Sequence, residues 1–502
     1  MGEKMNPEDI YLFPEPDLEF AVGQRMARPH DGLGLFGPYD LRHSSQPKSI
    51  VYGLAATKTG IVLFQQWARL LNQAHVHQSD NPRLWPPYPG FEAVTGSLWP
   101  EQPARTYTLS DQELFDAARN GDPYQRASTL VGYYLDCIAN ARKRDENFAV
   151  FICLIPDVIW ENCRPKSIVR EPISERLSRQ ERMQRVKGQM DLFSAYDVDD
   201  YKYSIDFRRQ LKAKSMEYGI PIQIVRESTL RPNDNNVFGQ RGLTPLCDRA
   251  WNMTTALYYK AGGKPWKLST ARDGVCYLGI AFRIVNERDT TACCAAQMFL
   301  DSGDGIVFLG DYGPWYSPEH KQFHLSKEAA YNLLSGILHT YRDMDGGPLK
   351  EIFLHSRSSI SDDEFAGYTK ACPAGVKLVG VRIRHERQGF RLFRPGTRPV
   401  LRGTFLRESE KSGFLWANGF KPSLMTYDGW EVPVPLRIDI QHGAADIIQV
   451  AQDVLSLTKL NYNTCKLGES QPVTVHFSDA VGEILVNNPA TKKPQHSFRF
   501  YI

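Results

Sequence analysis

The second half of the chain restricts the fold more than any other stretch. Apolar runs suited to strands cover residues 275–285 and 294–300, a turn falls at 303–305, and a third strand runs over 306–309. A helical period follows over 327–341, then a strand over 351–355 and a helix over 362–368. Three adjacent strands followed by a helix and a further strand give the order of an RNase H-like sheet, whose faces helices must cover.

The first half reads differently. The opening forty-odd residues are rich in Pro and Gly, with an extended apolar patch at 18–22, and suit an arm laid on another domain. Strand and helix signals then alternate: strand 49–55, helix 61–73, helix 130–143, strand 148–155, helix 203–218 stopped by Gly219, strand 220–225, and helix 248–260 closed by Ala261, Gly262 and Gly263. That alternation predicts a parallel, Rossmann-like sheet, so the fold class is α/β with two units. The polar stretch 164–187, with Arg170, Arg176, Arg179, Arg182 and Arg185, predicts a loop and a solvated helix face.

At 502 residues the chain is long enough for two to four domains, and 42% hydrophobic against 23% charged residues suits a globular interior. No apolar run approaches the ~18 residues of a membrane span, and the start lacks a basic-then-apolar signal, so a cytoplasmic location is expected. Nine cysteines without a Cys-x-x-Cys pair predict reduced core residues rather than zinc ligands or a disulfide framework. No Gly-x-Gly-x-x-Gly follows a strand, which argues against a dinucleotide-binding enzyme. With a net charge of +3, any nucleic-acid surface must come from local clusters. One such cluster runs from Lys377 to Arg407, where Glu386 is the only acid; it reads equally as a solvated strand face or as a surface for a polyanion.

Arg208 and Lys212, four apart on one helix, present two cations to one point. Gln223 on the following strand adds an amide donor. Alone, such a pair is a solvated face. The neighbouring string from Tyr258 through Lys260, Gly262, Gly263, Lys264 and Trp266 to Leu268, however, resembles the MID/PIWI junction of Argonaute proteins. Leu18, Glu19, Phe20 with Phe36, Gly37, Pro38 resemble the strand ahead of MID, and Pro89, Gly90, Phe91, Glu92 the start of MID. Gly313, Pro314, Trp315, then Leu457 to Asn461 and Pro472 to Thr474, resemble parts of PIWI.

The resemblance covers nearly the whole chain and implies an arm at 1–47, a MID domain at 48–258 and an RNase H-like PIWI domain at 259–502, with no room for N and PAZ domains. It implies that Arg208, Lys212, Gln223 and Lys260 hold the 5′-phosphate of a guide strand. Arg208 departs from the usual tyrosine or histidine, which replaces base stacking by charge pairing. The family also uses the C-terminal carboxylate, here that of Ile502, through Mg²⁺; Phe498, Phe500 and Ile502 alternate like a buried strand end. Lys264, Arg384, Arg387 and Arg391 are the expected contacts to the nucleic-acid backbone.

Cleavage of nucleic acid by paired metal ions needs several converging carboxylates. The family's first aspartate follows a Gly-Ile pair, where this chain has Gly279, Ile280, Ala281; its second follows an arginine, where this chain has Arg357, Ser358. Asp479 stands at the last acid position, Asp362 and Asp363 are the nearest substitutes, and Asp301 and Asp304 suit a turn. The resemblance therefore implies a short prokaryotic Argonaute that is no enzyme by itself. It would bind guide RNA, recognise single-stranded target DNA, and oligomerise with an APAZ-bearing effector subunit. Residues 226–230 and 293–299 look most like members paired with a TIR-APAZ NAD(P)ase; a nuclease-APAZ partner is the alternative, and an autonomous RNase H-type nuclease the distant one.

Overall fold

The structure, a computed structural model, describes residues 7–174, 204–232, 243–284, 292–300, 305–317, 319, 321–344, 346–386, 390–427, 429, 431–486 and 495–502. The arm supplies β1 (Ile10–Leu12), β2 (Leu18–Glu19), β3 (Arg25–Met26) and a helix at Pro29–Phe36. That helix was not legible among the prolines and glycines: Pro29 stands at its first position, where a fixed φ and a missing N–H cost nothing. The arm is fastened by a buried ion cluster in which Glu15 accepts from Arg402 Nε at 2.8 Å and from Lys459 Nζ at 3.1 Å. Burial works to raise the Glu15 pKa, but Arg402 and Lys459 hold it below the ordinary carboxylate value.

The parallel sheet expected in the first half is present. β4 (Tyr52–Thr57), β5 (Arg105–Leu109), β6 (Val150–Ile155) and β7 (Ile222–Arg226) lie in the order β5-β4-β6-β7, every pair parallel. Every residue of β4 and β6 is buried, which is why both read as continuous apolar runs rather than alternating ones. Helices Lys58–Leu71 and Pro123–Lys143 match the helical periods: the first lies a few residues nearer its cap, Thr57, and the second keeps its end at Lys143 but begins earlier, after its cap Asp122.

The remaining strands are β8 (Lys267–Leu268), which pairs with β2 of the arm, β9 (Val275–Ile284), β10 (Ala292–Phe299), β11 (Gly305–Gly313), β12 (Tyr316–Ser317), β13 (Gln322–Phe323), β14 (Glu351–Ser356), β15 (Lys377–His385), β16 (Thr404–Arg407), β17 (Ser412–Trp416) and β18 (Leu436–His442). Among the described residues β9, β10, β11 and β14 to β18 join β1 of the arm in a nine-stranded sheet, β1-β16-β17-β18-β15-β14-β9-β10-β11, in which β14 is parallel to both neighbours, while β12 and β13 pair with each other. Alternation along β9 sends Cys276, Leu278 and Ile280 toward the helix Lys327–Asp343, and Val275 and Tyr277 into the core shared with the arm. Helices Ile447–Leu457 and Val473–Val486, together with β17 and β18, were not anticipated. Cys137, Cys153, Cys163, Cys247, Cys276, Cys372 and Cys465 form no disulfide, and all of these but Cys372 are buried. Among the described residues no helix is long and apolar enough to cross a membrane.

One expected strand is absent. Phe498–Phe500 form a short 3₁₀ turn, though Phe498, Phe500, Tyr501 and Ile502 are buried as expected. Alternating apolar residues fit either backbone when the segment is pressed between two units; only Ser497 makes a bridge, to Ile306 at the edge of β11.

Gly279 pairs with Gln297 on one side and His355 on the other, and a Cβ there would press into the Thr474 backbone. Gly279→Ala is therefore expected to lower stability by about 1–3 kcal/mol. Gly132→Ala, where added bulk meets nothing, should raise it by roughly 0.5–1 kcal/mol. Denaturation midpoints of the two variants check the pair of opposite signs.

Candidate functional site

The helix Phe207–Ser215 starts at Asp206, whose carboxylate accepts from the Arg209 N–H at 3.1 Å. Its pitch places Arg208 and Lys212 on one face, but in different surroundings. Arg208 is exposed, whereas Lys212 is 2% exposed. Lys212 Nζ donates to the Tyr501 carbonyl at 3.0 Å and to the Ile502 oxygen. Lys260, the last residue of the helix Leu246–Lys260 and 1% exposed, donates to the Ile222 carbonyl at 3.0 Å and to the same Ile502 oxygen. Two buried ammonium groups thus share one oxygen.

Burial and the neighbouring cations Lys260 and Arg208 push the Lys212 pKa well below the ordinary lysine value. Burial and Arg208 push Lys260 down to about 7. Burial gives both shifts their sign, and the neighbouring cations add to it.

Arg208 stands between two hollows. One, of about 190 Å³, is lined by Arg208, Lys212, Arg164, Trp160, Tyr501 and Ile502. The other, of about 460 Å³, is lined by Arg208, Gln223, Trp160, Arg226, Arg249 and Asn252 among others. Gln223 donates weakly to the Ile224 carbonyl at 3.3 Å, and its buried Oε1 has no hydrogen-bond partner among the described residues. All five residues expected around an anion, Arg208, Lys212, Gln223, Lys260 and Ile502, are therefore drawn into one region through shared oxygens and shared walls.

Trp160, Arg164 and Arg226 of this region were missed. Trp160 lines both hollows, and the guanidinium groups of Arg164 and Arg226 lie 4.6 and 5.1 Å from its ring. Arg226 is oriented by Asp157, which accepts two of its N–H groups at 3.0 and 2.8 Å. The stretch 164–187 was expected to be a loop and a solvated helix face; Arg164 and Arg170 are exposed, Arg164 with its guanidinium over the Trp160 ring, and Arg176, Arg179, Arg182 and Arg185 lie outside the described residues. The missed signal is positional: Arg226 ends the parallel strand β7 and Trp160 lies in the helix Asp157–Asn162 just after β6, beyond the carboxyl ends of the strands, where open α/β sheets place ligands.

Lys264 is half-buried, and its backbone N–H donates to Asp40 at 2.9 Å in the turn after Lys260. Arg384 is exposed on β15, directly across from Arg437 on β18. Arg391 is half-buried and donates to the Phe390 carbonyl at 2.8 Å. Arg387 lies outside the described residues.

Ala281 is buried on β9 opposite Ala295, and Ser358 follows β14, whose Ser356 pairs with Ile280. The two positions thus lie near the same end of adjacent parallel strands. Asp479 belongs to the helix Val473–Val486, and its side chain lies outside the described residues, as do Asp301 and Asp304. Asp362 and Asp363 open the helix Asp362–Ala371 and are exposed.

No protein-family model and no curated protein matches the chain. Solved structures do. Aa-Ago with externally bound siRNA aligns with a TM-score of 0.57 at 15% identity, over 98% of this chain and 56% of that one. Clostridium butyricum Argonaute, bound to a guide DNA and a 19-mer target DNA, aligns with a TM-score of 0.57 at 14% identity, over 97% and 55%. Aquifex aeolicus Argonaute aligns at 0.54 and 14%, over 98% and 57%. The likeness is one of fold: the chain has an Argonaute-like α/β architecture, and it spans about half the length of the Argonautes it matches.

An unfolded lysine titrates at roughly 10.4, so holding Lys260 near 7 costs stability that returns as pH rises through that window. An anion in the hollow favours the charged lysine instead. Sulfate, which does not titrate here, is expected to raise the thermal midpoint more at pH 6 than at pH 8.5, and Lys260→Met to abolish that difference. Equal sulfate effects at both values in the unmodified protein would contradict the assignment.

Proposed function

We propose that this chain is the guide-binding subunit of a short Argonaute defence system in the prokaryotic cytoplasm. It holds a 5′-phosphorylated guide RNA, recognises complementary single-stranded DNA, and signals to an effector subunit. The observation that carries this reading is the shared oxygen of Ile502 between two buried lysines, with Arg208 beside it. A terminal phosphate supplies the negative charge that this cluster lacks. The siRNA, guide DNA and target DNA named with the similar Argonautes give the same ligand class.

In this reading Lys212 and Lys260 donate charge-assisted bonds to the phosphate, Arg208 closes it from the exposed side, and the Gln223 amide faces the first nucleotide. Mg²⁺ fits the chemistry of the donors, since the Ile502 oxygen and the unpartnered Gln223 Oε1 are oxygen ligands of the kind it takes. Among the described residues no group of three His, Cys, Asp or Glu could hold a metal, so the ion would draw most of its ligands from phosphate and water. Its contribution would be neutralisation of phosphate charge.

The chain does not cut in this reading, because Ala281 and Ser358 stand where carboxylates are required. Incubation with guide, labelled target and Mn²⁺ should leave the target intact. The output then belongs to an APAZ-linked effector, a TIR NAD(P)ase in the reading that residues 226–230 and 293–299 support, activated when target binding drives oligomerisation.

Lys212→Ala is expected to weaken binding of a 5′-phosphorylated RNA by about 10- to 100-fold, the loss of a hydrogen bond between charged groups. Binding of the 5′-hydroxyl RNA should hardly change. If the unmodified protein binds both RNAs equally, the phosphate site is wrong.

A further inference from the structure

The arginine-rich stretch contains an aromatic residue that neither the core nor the phosphate site uses. Between β15 and β16 the chain packs Phe390 on Phe414, with ring centroids 4.9 Å apart, and on Trp416. Leu392 and Val400 join the same small core. Phe393, one residue past Leu392, is 73% exposed. The segment is therefore tethered on both sides of an outward-facing ring.

Its surroundings are cationic. Arg394 and Arg398 are exposed, and the first donates to the backbone of the second at 3.2 Å. Arg398 stacks on Phe420 at 4.8 Å and bonds the carbonyl of Met425, itself 48% exposed. Among the described residues neither Arg394 nor Arg398 makes an ion pair, and no acid occurs between Arg387 and Arg407. Single exposed apolar residues are ordinary. A tethered aromatic ring held out among arginines, with no carboxylate near it in sequence, is a different arrangement.

We infer that Phe393 is a stacking platform for a nucleobase, with Arg394 and Arg398 contacting the phosphates on either side of that base. The inference rests on the guide-binding reading and adds an element of the large sheet's β15–β16 connection to it. A π face accepts any base, so the contact would be indifferent to sequence, while the arginines supply the salt-dependent part. The base is either unpaired in a single strand or the exposed face of a terminal pair; both present the same chemistry. A protein partner is the competing occupant. The charge disfavours it, because a protein surface seated here would have to supply its own carboxylates.

The test uses the full chain with 3′-labelled, 5′-phosphorylated RNA, alone and annealed to complementary DNA. Phe393→Ala is expected to weaken binding about tenfold with an unchanged salt slope, Phe393→Leu to behave like alanine, and Phe393→Trp to retain affinity. Arg394→Gln should instead lower the salt slope by roughly one contact. A loss with RNA alone assigns an unpaired base; a loss confined to the duplex assigns a terminal pair. Thermal midpoints of the Phe393 variants should match the parent, since the ring is outside the core. Equal binding by all Phe393 variants overturns the inference, as does leucine matching phenylalanine, or loss of a co-purifying protein with nucleic-acid affinity intact. Those outcomes leave the 5′-phosphate preference untouched and so do not bear on the guide-binding reading.

Discussion

Two ammonium groups in the interior, Lys212 and Lys260, converge on a single oxygen of Ile502. Removing one charge from water costs several kcal/mol unless it is paired, and here two lysines and a nearby arginine meet one acceptor. The arm shows how the same chain closes such an account elsewhere. There Glu15 lies between Arg402 and Lys459, and Arg402 spends its remaining N–H groups on Ala417, Glu469 and Thr458. There all five N–H groups of Arg402 are satisfied and a carboxylate sits between the two cations, although burial still pushes Lys459 down to about 8. The cluster at Ile502 is short of negative charge whether its oxygen is counted as a carbonyl or as a carboxylate, which makes it a site for an anion.

The same oxygen ties the two halves of the molecule together. His496 and Ser497 bond to β11 of the large sheet, and five residues later Ile502 reaches a helix and a helix end of the smaller unit. The helix Val473–Val486 adds a second link. Thr474 sits over Gly279 and bonds His355 at 2.9 Å, while Phe477 and Ile484 line the hollow that holds Lys212. The strands that carry Ala281 and the pocket that carries the lysines therefore rest on one helix.

Much of this was legible in the sequence, for definite reasons. Helical spacing puts Arg208 and Lys212 on one face, and Gln223 falls on the next strand, which are local signals; the anion role of these residues, and of Lys260 and Ile502, came from the resemblance carried by residues 258–268. What escaped depends on tertiary packing. Trp160 and Arg164 look like ordinary loop residues until β6 and β7 bring their carboxyl ends together. The tail kept its burial but not its strand, because apolar alternation reports which side chains are covered and not which backbone covers them. The side chain of Asp479, which bears on cleavage, and the whole of Arg387, which bears on backbone contact, fall outside what the structure describes.

Hydrogen–deuterium exchange on the full chain, with and without RNA, tests the central claim most directly. With a 5′-phosphorylated RNA the account predicts new protection in three separate segments, the helix Phe207–Ser215, β7 and residues 496–502, and little of it with the 5′-hydroxyl form. Protection indifferent to the phosphate, or absent from the tail, would contradict it.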